Sequence, residues 1–199
     1  MKVVVTGGSG HIGTYLVPML VRAGYEVAVV ARGQSLPYVP DAAWNKVERA
    51  RLDRTKEPRF AELVADMRPD IVVDLISFSL EEAAAMAAAL SGARLSHYLF
   101  CSSIWAHGRA ETLPFNPDDL DKKPLCQYGR EKFRCELHLK ERFRQTGFPA
   151  TIIMPGQISG PGWGIISPYG NADPEVFGKI ARGETIYLPN LGMETIHHV

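Results

Sequence analysis

Apolar residues along the chain follow two rhythms. Some form short β-branched runs; others return every third or fourth position in longer stretches. The runs KVVVT (2–6), EVAVVAR (26–32), DIVVDLIS (70–77), SHYLFCSS (96–103) and ATIIMP (150–155) predict strands, with a weaker one in KVERARLD (46–53). DIVVDLIS is apolar almost throughout, as expected of a strand covered on both faces. HIGTYLVPMLVRAG (11–24) predicts a helix with Ile12, Leu16, Met19, Leu20 and Ala23 on one face and Gly24 as its stop; Pro18 inside it predicts a kink or a looser first half. PRFAELVADM (58–67) predicts a second helix. SLEEAAAMAAALSG (79–92) predicts a strong third, with Ser79 as N-cap, Glu in the first turn and Gly92 as stop. A polar loop with three Pro (107 to about 125) precedes a helix from Tyr128 to about Gln145, which carries Phe133, Leu137 and Phe143 among many charges. After Pro155 the texture turns Gly- and Pro-rich, with a short helix expected at 175–184 and an extended TIYLPNLG (185–192). Strand–helix alternation through residue 155 predicts an α/β domain over 1–155, a doubly wound parallel sheet with helices on both faces; residues 156–199 begin a second portion.

Composition narrows the class. The 199 residues are 46% hydrophobic and 22% charged, which excludes a disordered chain, a collagen-like repeat and a knottin. Lys plus Arg and Asp plus Glu balance at 22 each, so charge gives no case for a nucleic-acid or membrane-surface partner. Cys101, Cys126 and Cys135 have no C-x-x-C spacing, so neither a metal site nor a disulfide framework is expected. The start, MKVVVTGG, is too short for a signal-peptide apolar region, and no apolar run approaches the roughly 18–20 residues of a membrane span. A cytoplasmic location is the expectation.

The candidate chemistry begins at residues 6–13, TGGSGHIG, directly after a strand and before a helix. Gly8, Gly10 and Gly13 fit G-x-G-x-x-G, and Gly7, Gly10 and Gly13 fit G-x-x-G-x-x-G equally. Glycines there permit a tight turn and let backbone N–H groups approach a pyrophosphate, which the helix N-terminus then faces. An acidic residue at the end of the second strand would bind a free ribose 2′-hydroxyl, but the strand ends Ala31, Arg32. Arg suits a 2′-phosphate, so NADP is expected in preference to NAD; the plain alternative is a solvated loop Arg32. Asp53 could accept from the adenine amino group or simply serve its turn.

Tyr128 and Lys132 lie four apart at a helix start, on one face. A Tyr hydroxyl, with pKa about 10, is a poor base until a nearby ammonium favours the phenolate. Ser103 follows the fifth strand, at the carboxyl edge where open α/β sheets place ligands, and could hydrogen-bond the oxygen whose proton the Tyr moves. Y-x-x-x-K alone arises by chance in many helices; beside the glycine turn and Ser103 it carries weight.

Four matches then fall in chain order: Thr6, Gly7, Gly10 and Gly13 in the turn; Ser102 and Ser103 with Gly108 shortly after; YGREK from Tyr128 to Lys132; and PGQISGPG from Pro155 to Gly162. In these the chain resembles the extended short-chain dehydrogenase/reductase family, which includes nucleotide-sugar epimerases, dehydratases and reductases. The resemblance implies a Rossmann-type fold, Ser103 polarising a substrate oxygen, Tyr128 as acid/base, and Lys132 holding the ribose and lowering the Tyr pKa. It implies cofactor contacts at His11, Ile12, Leu75 and Pro155, whose segment would line the nicotinamide side, and pairing of two copies through the helix bearing Tyr128. Ser103 is followed by Ile104 and Trp105 rather than Asp-Glu, which argues against the dehydratase branch, and His107 stands where the family often has Tyr. The ending at His197, His198 and Val199 falls inside a family His-Val-Asp-Asp run, so a shortened substrate-binding portion is expected. The expected function is an NAD(P)-dependent oxidoreductase or epimerase acting on a carbinol or carbonyl carbon of a small molecule, such as a nucleotide sugar. The alternatives are a non-catalytic NADP-binding sensor and an RNA-binding atypical member of the same fold.

Overall fold

Residues 1–33, 37–92, 94–109, 114–164, 167 and 173–193 are described by a computed structural model. Strands β1 (Lys2–Thr6), β2 (Glu26–Ala31), β3 (Glu48–Arg51), β4 (Ile71–Asp74), β5 (His97–Cys101) and β6 (Ala150–Ile153) form one sheet in the order β3-β2-β1-β4-β5-β6. Every pairing is parallel. The order changes direction between β1 and β4, so the ends of these two strands flank the crevice where doubly wound sheets place ligands.

Helices α1 (His11–Arg22), α2 (Phe60–Asp66), α3 (Leu80–Leu90) and α4 (Gln127–Thr146) are the crossovers of this Rossmann-type sheet. Side-chain alternation along the strands builds two cores. Val3, Val5, Val27 and Val29 meet Val17 of α1 and Trp44 on one face. Val4, Ala28, Val30, Val72, Tyr98 and Phe100 meet Val64 of α2, Met86 and Leu90 of α3, and Cys135 and Leu139 of α4 on the other. The cap expected for α3 is present as a full capping box: Ser79 accepts from the Glu82 N–H and Glu82 reaches back to the Ser79 N–H.

Some expectations need correction, and the burial patterns of α4 and β6 add to them. α1 runs unbroken from His11 to Arg22 with Pro18 buried inside it; the core contact of the ring outweighs one lost helical hydrogen bond. Leu137 and Phe143 of α4 are exposed, and the buried positions of that helix are Gly129, Lys132, Cys135, Glu136 and Leu139. The helix expected at 175–184 is limited to α5 (Val176–Ala181), and part of the segment expected to be extended is a 3-10 turn at Pro189–Gly192. β6 alternates between half-buried and exposed residues, because it is the sheet's edge strand.

The chain divides into two compact units, Met1–Met154 and Pro155–Val199. All six strands and α1–α4 lie in the first. In the second, α5 buries Val176, and Lys179 pairs with Asp173 at 2.7 Å. His197, His198 and Val199 lie outside the described residues.

Candidate active site

The glycine turn has two kinds of glycine. Gly7 has φ +75°, and a Cβ there would collide with Ile76 Cγ2; a Cβ on Gly13 would run into the backbone of Gly8. These two serve the protein's own packing. At Gly10 a Cβ would meet only the Gly7 carbonyl oxygen, at 3.2 Å, so that face is otherwise open. Gly10 also caps α1 without any side-chain hydrogen bond, and the first turn holds no acidic residue. The helix thus starts with no acidic side chain in its first turn and no side-chain cap from Gly10. An open glycine at a helix N-terminus fits a dinucleotide's pyrophosphate. His11 is buried, its Nδ1 hydrogen-bonded to the Tyr38 hydroxyl and its ring stacked on Tyr38 at 5.8 Å, with Tyr15 edge-on at 5.9 Å.

Arg32 is exposed just after β2. Asp53 uses Oδ1 to accept from the Thr55 N–H at 3.1 Å and the Thr55 hydroxyl at 2.8 Å, an Asx turn. Those two bonds hold its carboxyl below the usual range, with the charges of Lys56 and Arg32 adding to them. Arg54 pairs with Glu82 and lies over the Phe78 ring at 4.8 Å.

β4 ends in a residue whose role the sequence reading missed. Asp74 is fully buried and accepts from Thr6 Oγ1 (2.9 Å), the N–H groups of Ile76 and Ser77 (3.1 Å each), Ser77 Oγ (2.6 Å) and the Tyr98 hydroxyl (2.7 Å). Such a set meets the condition for burying a carboxylate. Burial, then the Asp74 charge, pushes the Tyr98 hydroxyl well above its ordinary value. The available signal was one acid inside an otherwise apolar run. Leu75 follows, its N–H bonded to Thr6 O at 3.3 Å and its side chain packed against the α1 core.

Ser103, Tyr128 and Lys132 come together past the end of β5. Ser103 is buried and caps the 3-10 turn Ile104–Ala106, its Oγ accepting from the Trp105 N–H at 3.3 Å, and it lies near enough to the half-exposed Tyr128 to lower that hydroxyl's pKa. Lys132 is 1% exposed, and its ammonium donates to Ser77 O at 2.7 Å and Cys101 O at 2.6 Å. It thus bridges the exits of β4 and β5. α4 approaches closely enough to deliver both side chains because Gly129 has no Cβ; one would collide with the Trp105 carbonyl. The expected effect of the lysine on the tyrosine is not what this arrangement produces. Burial pushes the Tyr128 hydroxyl above its ordinary value, and the opposing contribution is the Ser103 hydrogen bond. Lys132 lies 5.8 Å from the Tyr128 ring centroid with its ammonium committed to carbonyls, and burial lowers its own pKa.

A second buried cluster backs the site. Ser102 Oγ donates to Glu136, whose other oxygen pairs with Lys122 Nζ at 2.5 Å. Lys122 comes from the polar loop before α4, where a run of Asp and Lys looks solvated in the sequence. His107 is buried, Nε2 to Asn116 O at 3.1 Å and ring against Phe115 at 4.2 Å, so it serves its loop. Pro155 opens the second unit directly after β6 and Met154. Among the described residues no His/Cys/Asp/Glu group could hold a metal ion, and no helix is long and apolar enough to cross a membrane.

Residues 3–195 match the NAD dependent epimerase/dehydratase family. A 2'-dehydrokanamycin reductase from Streptomyces kanamyceticus is 31% identical over 158 residues, 79% of this chain and 43% of that protein. The chloroplast stem-loop binding protein of 41 kDa b from Arabidopsis thaliana is 25% identical over 203 residues, 97% of this chain and 50% of that one. The chain thus spans about half the length of the curated relatives it matches. In fold it is similar to the UDP-glucose 4-epimerase of Thermotoga maritima, solved with UDP-glucose, with TM-score 0.76 at 21% identity, covering 100% of this chain and 69% of that one.

Proposed function

The chain belongs to the NAD dependent epimerase/dehydratase family, and we propose that it serves an NAD(P)-dependent oxidoreductase or epimerase acting on a carbinol or carbonyl carbon of a nucleotide sugar or a similar small molecule. The observation that carries the reading is the grouping of the buried Ser103 and Lys132 with Tyr128 past the end of β5, at the same sheet edge as the open Gly10 turn. The pyrophosphate would lie on the backbone of Gly7, Gly10, His11, Ile12 and Gly13. Arg32 would favour a 2′-phosphate and so NADP over NAD. Asp53 and Leu75 would complete the cofactor's surroundings. When bound, the nicotinamide supplies hydride chemistry.

Ser103 holds the substrate oxygen by a hydrogen bond, and Tyr128 moves that oxygen's proton. Burial keeps the Tyr128 hydroxyl protonated in the resting site, ready to protonate a carbonyl oxygen as it becomes a hydroxyl. In the reverse direction Tyr128 takes the proton back, eased by the nearby Ser103 hydroxyl, which favours the phenolate. Proton transfer of this kind typically contributes ~10²–10⁴-fold to rate. Lys132 fixes the exits of β4 and β5, and its ammonium keeps a third proton for a ribose hydroxyl.

Incubation of nucleotide sugars with NADP⁺ or NAD⁺, and of carbonyl compounds with NADPH or NADH, tests the proposal. Product epimers by chromatography, or a change in reduced nicotinamide by absorbance, are expected; no product with any member refutes it. A second reading, RNA binding without turnover, is favoured by the similarity to the chloroplast stem-loop binding protein and opposed by the balanced charge. A salt-dependent titration with stem-loop RNA separates the two.

A further inference from the structure

The ends of β2 and β3 hold two arginines in one place. In the β2–β3 register Ala31 lies opposite Arg51, so Arg32 is the next residue past that pair. Arg51 Nε donates to the Arg32 carbonyl at 3.2 Å. Its stem lies against the turn that follows: a Cβ on Gly33, where φ is +75°, would stand 3.0 Å from Arg51 Cδ. Glycine at 33 therefore leaves the room in which the Arg51 side chain crosses the end of β2. Both arginines are exposed, and among the described residues neither forms an ion pair. Of the other charges at this edge, Arg54 is paired with Glu82, while Asp53 is bonded to Thr55 and also senses the Arg32 charge. Arg32 and Arg51 bring like charges to the same strand ends, and an anion between them lowers the cost of that repulsion.

We propose that Arg51, with Arg32, binds the 2′-phosphate of an NADP-type cofactor, making Arg51 a specificity-determining residue. The inference rests on the reading above that Arg32 favours NADP. A phosphate monoester offers three acceptor oxygens and about −1.5 to −2 charges near neutral pH, enough for two guanidinium forks. A single guanidinium one residue past β2 would give selectivity by charge alone. A second, anchored by its carbonyl bond and by the Gly33 turn, fixes where the phosphate sits.

The test is calorimetric titration of the chain with adenosine 2′,5′-bisphosphate and with adenosine 5′-monophosphate, probes that differ in the 2′-phosphate. Arg51→Gln keeps a donor for the Arg32 carbonyl and most of the stem, so it removes charge while sparing the turn. It should weaken the bisphosphate by about tenfold or more and leave the monophosphate within about twofold, with Arg51→Lys in between. If Arg32→Ala abolishes the preference while Arg51→Gln binds both probes like wild type, the role of Arg51 is refuted and the NADP reading stands. If the wild-type chain binds the two probes equally, the NADP reading fails and the inference falls with it.

Discussion

Glu136→Leu should be among the most destabilising single substitutions in the first unit. The carboxylate is 2% exposed and its partner Lys122 0%, at 2.5 Å; the second oxygen accepts from Ser102. With the carboxylate gone, the Lys122 ammonium keeps only Met154 Sδ at 3.4 Å and the Phe133 ring at 5.6 Å, neither able to replace an anion. Breaking a buried pair from one side costs about 3–5 kcal/mol, and the unpartnered Ser102 hydroxyl about 1 more. For a chain of this size each kcal/mol lowers Tm by about 2–4 °C, so a fall on the order of 10–20 °C is expected. Thermal and urea unfolding followed by circular dichroism measure it. The double variant Lys122→Met with Glu136→Leu removes both charges and should regain most of the loss, since a buried pair replaced by apolar groups is often neutral. A single-variant loss under about 1 kcal/mol, the scale of an exposed pair, would refute the reasoning. So would a double variant no more stable than Glu136→Leu alone.

Other outcomes follow from the same geometry. Gly13→Ala forces a Cβ into the Gly8 backbone and should cost about 1–3 kcal/mol along with dinucleotide binding, whereas Gly10→Ala should keep its Tm and lose NADPH affinity in fluorescence titration. Tyr128→Phe should lower turnover roughly a hundredfold with dinucleotide affinity within a few-fold; Lys132→Ala should damage both, read by steady-state kinetics and fluorescence. Burial holds the Cys135 thiol up at about 12, above an unfolded value near 9. Its contribution to stability is thus complete below about pH 9 and falls away as pH rises toward 12. Urea midpoints across that window should fall less in Cys135→Ala, and Cys135 should resist iodoacetamide at pH 8 in the folded chain.

The strands were legible because β-branched runs and helical spacing alternate cleanly, and the capping box of α3 was half visible in Ser79 and the early Glu. The inward face of α4 was not. Its apolar residues Leu137 and Phe143 point to water while Lys132 and Glu136 point in, an inversion that holds because carbonyls of β5 and the 74–77 turn, Ser102 and the loop residue Lys122 satisfy those charges. The partners are 14 to 55 residues away, beyond any window that reads periodicity. The Ser103, Tyr128 and Lys132 grouping was foreseeable from topology, because strand ends and helix starts share one edge of a parallel sheet. The raised Tyr128 hydroxyl was not, since it comes first from burial by residues distant in sequence.

The five bonds to Asp74 have a consequence for how the molecule breathes. They join the last residue of β1, the turn after β4 and the start of β5 through one buried carboxylate. The glycine turn therefore has no hinge of its own at Thr6: lifting it away would strand a buried charge. The amides of Ile76 and Ser77 sit in a turn, yet their hydrogens should exchange with solvent as slowly as those of the central strands. The Thr55 amide, in the exposed Asx turn of Asp53, should exchange through small local openings. A ligand reaching this crevice meets a floor that opens only when the whole sheet does.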